Sequence, residues 1–270
     1  MNLVFDIRAL YKPLQPVLLP AEYVTYQEVP PACEVDRFVY CYWRLKTNEP
    51  LSEAFSYRVV ADGCMDVFFE LDHPADNFVM GLCNGYTEFG IGNTFDYMGI
   101  RFYPGAFPLL FGTDASEVTD RFESLRDVVP ALSVYIETHF LPENTTAQIC
   151  RMLDHYFSKL VADTVLKEDH RFYAAIEKII TSHGTCHIET ALNTGLSARQ
   201  LRRLFDRYIG DSPKTFSKII RFQNALGPTL SKGTYPNDHA LPDEGYYDQA
   251  HLIKEFKHFS GLTPNRIKGQ

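Results

Sequence analysis

The chain has 270 residues, 45% hydrophobic and 22% charged, with a formal net charge of −8. That balance is ordinary for a globular protein and excludes a disordered or collagen-like chain, and the length predicts one large domain or two smaller ones. No run of about 18 apolar residues occurs, so no membrane partner is expected, and −8 spread evenly would speak against nucleic acid too.

The charge is not spread evenly. Residues 170–270 hold 14 basic and 9 acidic residues, a net +5, which leaves −13 on residues 1–169. Such asymmetry fits a basic part that meets nucleic acid, or simply two domains with separate tasks. The first residues include acidic Asp6 and no long apolar segment, unlike a secretory signal. The six cysteines (Cys33, Cys41, Cys64, Cys83, Cys150, Cys186) show no C-x-x-C pair and no zinc-finger spacing. Free thiols in a reducing cytoplasm, without a structural metal or a cofactor, are therefore expected.

In chain order, the first part reads as β structure. Phe38–Leu45, Tyr57–Val60, Met65–Leu71, Phe78–Met80 and Tyr97–Tyr103 are short runs rich in Val, Phe, Tyr and Ile. Asp62-Gly63 between the second and third runs predicts a hairpin, because Gly readily takes positive φ. Pro104-Gly105 ends the last strand. The series predicts a β-barrel or sandwich. Helical spacing follows from about residue 120. Thr145 and Gln148 form a capping-box pattern ahead of an apolar stripe of Ile149, Leu153, Tyr156, Phe157 and Leu160. That stripe suits packing on its own domain or a dimer contact. A boundary near the acidic stretch at 167–170 gives two domains: 1–168, β-rich with following helices, and 169–270, all α. The fold class is α+β.

The second part repeats itself. Ser197, Leu201, Phe205, Tyr208, Gly210 and Pro213 correspond to Asp248, Leu252, Phe256, Phe259, Gly261 and Pro264 at a constant offset of 51. This is one supersecondary unit used twice, and each copy has a helix-turn-helix layout. In the first, residues 188–194 form a short helix, Gly195 takes the left-handed turn, and Ser197 caps the next helix with Gln200 at N3. Leu201, Leu204, Phe205 and Tyr208 lie on the buried side of that helix. Arg199, Arg202 and Arg203 lie on the other, three and four residues apart. A recognition helix presents this half to the major groove, where Arg donates two hydrogen bonds to guanine. In the second copy Asp248 is the cap and Gln249, Ala250, His251, Ile253 and Lys254 share the exposed end. Gln suits adenine and Ala a thymine methyl. A basic helix face is often only solvated; the repeat, the turn glycine and the matching caps favour DNA.

These residues resemble the double helix-turn-helix domain of the AraC/XylS family of bacterial transcription regulators. The resemblance runs over about residues 172–268. It rests on Gly210-Asp-Ser-Pro213 with Arg221-Phe-Gln-Asn-Ala225, on Gly245-Tyr-Tyr-Asp-Gln-Ala-His-Leu252, and on Gly261-Leu-Thr-Pro264. It implies two units joined by a linker helix beginning near Lys214, with two recognition helices entering major grooves roughly 34 Å apart. It further implies promoter DNA and RNA polymerase as partners, with activation favoured over repression. Arg58-Val-Val-Ala-Asp-Gly-Cys-Met-Asp66 and Gly99-Ile-Arg-Phe-Tyr-Pro-Gly-Ala-Phe107 resemble a β-rich domain found ahead of this module, which implies effector sensing or homodimerisation. The usual pattern there has Pro before Asp-Gly, and this chain has Ala61. Two further departures stand out. Gly227-Pro228 interrupts the linker helix, since Pro in a helix interior costs about 3 kcal/mol. Pro242 falls in the helix expected before Gly245 and predicts a short, distorted or displaced helix with weaker reading by the second unit.

In the β domain, Arg101 lies within an apolar strand. Its fork fits an anionic ligand, and it equally fits a salt bridge to Asp62 or Asp66, which is the favoured reading. Arg101, Asp62 and Asp66 are the candidate effector-site residues. Other readings are a cupin-like enzyme or a redox sensor at Cys41 or Cys64, fused to the DNA-binding module. The enzyme is disfavoured because the first 169 residues hold only His73, His139 and His155, far apart. The expected function is a cytoplasmic, non-catalytic, sequence-specific transcription regulator.

Overall fold

A computed structural model describes residues 6–16, 23–187, 195–232, 241 and 244–268. The β domain holds strands β1 (Val24–Val29), β2 (Val39–Thr47), β3 (Phe55–Val59), β4 (Met65–Glu70), β5 (Asn77–Met80), β6 (Thr87–Gly92), β7 (Asp96–Phe102) and β8 (Phe122–Ser124). Six of them pair antiparallel in the order β1-β2-β7-β4-β5-β8, and β3 pairs with β6 in a separate ribbon. The expected barrel or sandwich is thus a sandwich-like pair of sheets, with no closed barrel among the described residues.

The period of two along each strand splits the six-stranded sheet into two unlike faces. Tyr42, Val67, Phe69, Val79, Met98 and Ile100 point into one core, covered by helices. The cover comes from α3 (Pro130–His139) and α4 (Thr146–Asp163), which bury Leu132, Ile136, Ile149, Leu153 and Phe157. Phe69 stacks on Phe140 at 5.2 Å between ring centres. The capping box of Thr145 and Gln148 forms as read, and the stripe behind it packs within the domain. Cys41, Trp43, Leu45 and Met80 point to the opposite face, under the β3–β6 ribbon.

The hairpin expected at Asp62-Gly63 does not exist. β3 pairs with β6 and β4 with β5 and β7, so the chain crosses there from the ribbon to the main sheet. The local turn chemistry is real: the Asp62 carboxylate accepts a hydrogen bond from the Cys64 N–H at 2.9 Å, and Gly63 sits at φ 75°. A turn signal alone does not say which strands it joins. After β7 come α1 (Ala106–Phe111), opened by Gly105, and α2 (Leu125–Val128).

The second part has α5 (His170–Thr181), α6 (Ala198–Tyr208), α7 (Pro213–Lys232), α8 (Gln249–Ser260) and α9 (Pro264–Lys268). The short helix expected over 188–194 and the distortion expected at Pro242 lie outside the described residues. The interruption expected at Gly227-Pro228 is corrected: α7 runs through Pro228 to Lys232 as one helix. Around it hydroxyls bond back to helix carbonyls, with Thr229 donating to Ala225 at 2.8 Å and Ser231 to Gly227 at 2.9 Å. Complete burial of Leu226 and Thr229 helps offset what the proline costs the helix. No helix among the described residues is long and apolar enough to cross a membrane.

Near residue 168 the apolar packing is continuous, and a single core runs through both parts. Phe172 of α5 touches Phe205 of α6, and Phe216 of α7 reaches back to Gly63, where a Cβ would lie 2.9 Å from its ring. Gly63 is therefore required twice, for its positive φ and for this close approach.

Candidate DNA interface and β-domain cavity

α6 starts where the sequence places it. The Ser197 hydroxyl accepts from the Gln200 N–H at 3.3 Å, the Gln200 side chain accepts from the Ser197 N–H at 3.0 Å, and Gly195 has φ 72°. Leu201 and Phe205 are buried, with Leu204 and Tyr208 half-buried beside them. Arg199, Gln200, Arg202 and Arg203 are all exposed. Arg202 stands 3.9 Å from Asp206, one turn on. Arg203 has a different outlook: with Arg207 and Asp206 it lines a cleft of about 410 Å³ against Gly112, Thr113 and Asp114 of the β domain. The three arginines thus separate into Arg199 and Arg202, clear of that cleft, and Arg203, which turns towards the β domain.

α8 starts on Asp248, whose carboxylate accepts from the His251 N–H at 2.7 Å, and ends at Gly261 in the left-handed conformation. Gln249, Ala250, Ile253 and Lys254 are exposed. His251 is placed differently. Its Nδ1 accepts from the Tyr247 N–H at 3.2 Å, and its Nε2 lies 3.4 Å from Glu255. Its ring nitrogens are thus turned to partners within the protein. Beneath it, buried Glu255 receives a two-pronged contact from Arg221 of α7, at 3.1 and 2.5 Å. Arg221 also packs over the Tyr246 ring at 5.1 Å. Sequence reading saw the segment around Arg221 only as a family motif; here it is the brace between linker helix and second recognition helix. Lys214 is exposed in the first turn of α7.

In the β domain a cavity of about 420 Å³ opens between the main sheet and the ribbon. That volume is in the range of small-molecule sites. Trp43, Phe68, Phe78, Tyr97 and Phe122 line it from the sheet, and Tyr57 and Phe89 from the ribbon. The floor depends on Gly99: a Cβ there would fall 2.0 Å from the Trp43 indole, so only glycine lets the ring lie flat across the strand. The sequence shows a β domain rich in aromatics that suit a pocket or a core equally, and which of them share a face follows only from register.

Arg101 and Asp66 also line the cavity. Arg101 is 1% exposed; its Nε and Nη2 donate to the two Asp66 oxygens at 3.1 and 3.0 Å. Its Nη1 lies 3.4 Å from Glu28 and its Nε 3.5 Å from Asp62. The favoured salt-bridge reading of Arg101 therefore agrees with the geometry, and the pairing occupies the fork that a ligand anion would need. Burial pushes the Asp66 carboxyl up to about 6.

Asp62 connects this cavity to the helical part. Its second carboxylate oxygen accepts from Gln15 Nε2 at 2.8 Å and its carbonyl from the Tyr11 hydroxyl at 2.6 Å. One residue earlier, the Ala61 carbonyl accepts from Gln223 of α7 at 2.8 Å, and the Ala61 N–H donates to the Phe259 carbonyl of α8 at 3.1 Å. Gln223 also exchanges two bonds with the Leu14 backbone, and the Tyr86 N–H donates to the His258 carbonyl. On the first unit, Thr119 donates to the Gly210 carbonyl and Asn84 to Asp211, both at 2.8 Å.

Residues 190–270 match a helix-turn-helix domain, and residues 27–124 match a domain of unknown function (DUF6597). No curated protein sequence matches the chain significantly. Among solved structures the chain is similar to ToxT of Vibrio cholerae. An apo variant has 11% identity and TM-score 0.45 over 84% of this chain and 97% of that one. ToxT of strain O395 has 10% identity and TM-score 0.42 over 92% and 98%. Behind its β-rich domain of unknown function, this chain carries the DNA-binding helix-turn-helix domain of an AraC-type transcription regulator.

Proposed function

We propose that the protein activates transcription from specific promoter sites, and that the β-domain cavity takes a small apolar effector whose binding is felt by both helix-turn-helix units. The observation that carries the effector reading is the polar path from Arg101 in the cavity wall through Asp62 to the 61–63 backbone, where Gln223 and Phe259 are held. A ligand that moves Arg101 or Asp66 acts on the loop against which α7 and α8 are docked. The alternative task, dimerisation through α4, has less support, because the apolar stripe of α4 is buried in its own domain.

On DNA, Arg199 and Arg202 supply the base contacts of the first half-site, with Gln200 beside them and Ser197 fixing the helix start. Arg203, at the cleft edge, and Lys214 serve the phosphates. Gln249, Ala250 and Lys254 read the second half-site, and His251 supports the helix from within. RNA polymerase is the partner that activation requires. A redox role for Cys41 or Cys64 is less well supported, since both are buried and burial pushes both thiols well above their ordinary range.

Selection of bound duplexes from a random pool tests the DNA reading. Enrichment of two short elements about one helical turn apart is expected. A pool that stays random would refute it.

A further inference from the structure

The cavity has features that choose among ligand chemistries. Around its buried guanidinium stand three carboxylates, those of Asp66, Glu28 and Asp62. Glu88 on the cavity rim is paired with Arg58 and adds no net charge. The group is therefore two negative charges in excess when all are ionised. An anion entering here would meet that excess with the Arg101 fork already engaged, and the cost of like charges rises as water is excluded.

A second, independent observation comes from the neighbouring strand of the same sheet. Trp43 is 6% exposed, lines the cavity, and its indole N–H has no hydrogen-bond partner. That nitrogen is covered and lies against Gly99, where a Cβ would fall 2.6 Å from it, so Trp43 meets the cavity with the carbon part of its ring. The remaining lining is mostly apolar and includes Tyr57, Phe68, Phe89 and Tyr97, and aromatic rings attract cations through their quadrupoles.

We propose that the effector is an organic cation with an apolar body, the cation meeting the aromatic side chains near Asp66. This rests on the effector reading above and adds the class of ligand. Affinity comes from burying the apolar body; selectivity comes from the excess carboxylates, which reject an organic acid of the same shape. Asp66 gains most from such a ligand, since a nearby cation favours its ionised form.

Trp43 is the only tryptophan in the chain, so its emission reports this cavity alone. Three probes of matched shape separate the possibilities when titrated into the full-length protein with excitation at the red edge of indole absorption. These are 4-phenylbutyrylcholine, its uncharged 3,3-dimethylbutyl ester, and 4-phenylbutyrate. The choline ester should change Trp43 emission at a concentration at least tenfold below that needed for the uncharged ester, with the carboxylate weakest. In Asp66→Asn, checked for native circular dichroism, the gap between the first two should shrink. Equal affinity of the two esters, or tighter binding of 4-phenylbutyrate, would overturn the cation assignment while leaving the cavity as a binding site. No change of emission with any of the three would overturn the effector site itself, and the cation assignment with it.

Discussion

The two recognition helices are copies of one pattern and are held by different means. α6 starts on a full capping box, carries Arg199, Arg202 and Arg203 in its first two turns, and has a polar cleft along one flank. α8 starts on Asp248 alone, carries Lys254 as the only Lys or Arg in its first two turns, and rests on the pair of half-buried Arg221 and buried Glu255. Its C-terminal end is bonded through backbone to the β domain at Ala61 and Tyr86. On the reading proposed above, more of the base reading falls to the first unit, whereas the second has the firmer backbone attachment to the β domain.

The comparison breaks most visibly at the brace. Arg221→Met leaves Glu255 buried without its guanidinium, and losing one partner of a buried pair costs about 3–5 kcal/mol. Chemical denaturation of the variant should show a loss of that order. DNA protection should fade over the second half-site before the first. A loss under about 1 kcal/mol would mean that Arg221 does not brace α8.

Base reading comes next. Arg199→Ala or Arg202→Ala should cost about 1–3 kcal/mol at one base position, whereas a phosphate contact is lost evenly across sequences. Arg203→Ala should behave in the second way. Binding titrations against duplexes altered one position at a time distinguish the two patterns. Uniform loss for all three variants would remove the division within α6.

The caps give a smaller contrast. Ser197→Ala removes a hydroxyl that accepts the Gln200 N–H, and Asp248→Ala removes a carboxylate that accepts the His251 N–H. Each should lower stability by about 1 kcal/mol. Ser197→Ala should weaken the first half-site only, and Asp248→Ala the second only, as read by footprinting.

A separate effect concerns pH. Asp66 is held at about 6, raised chiefly by burial, with Arg101 pulling against it and Asp62 and Glu28 pushing with it. A carboxyl whose folded value lies above its unfolded one binds its proton more tightly when folded. Its contribution to stability is therefore present below about pH 4 and is lost as the pH rises to about 6. Asp66→Asn should flatten that part of the stability profile, measured by thermal melting between pH 4 and 7.

What the sequence made legible was local. Ser197 with Gln200, Thr145 with Gln148, and Gly195 before its helix are signals within four residues, and each forms as read. Strands β2, β4 and β7 show as aromatic and β-branched runs. β6 reads Thr-Glu-Phe-Gly-Ile-Gly, and its glycines hid an alternating strand. The hairpin at Asp62-Gly63 failed because a turn residue marks a reversal without naming its partners. The cavity was legible residue by residue only in Arg101 and Asp66; which of the domain's many aromatics wall it depends on the register that sets Trp43 against Gly99. Least visible was the docking of the two parts, since Gln223 and Ala61 are 162 residues apart.

In the function proposed here, Arg199 and Arg202 of α6 carry more of the base reading than α8 does. Duplex selection from a random pool, run in parallel on the native protein, Arg199→Ala and Gln249→Ala, tests it most directly. Two elements about one helical turn apart should emerge for the native chain, with the stronger base preference in one. Arg199→Ala should erase preference at a position of the stronger element, and Gln249→Ala should alter only the weaker. If Gln249→Ala instead erased the stronger preference while Arg199→Ala left both elements intact, the assignment of sequence reading to α6 would be contradicted.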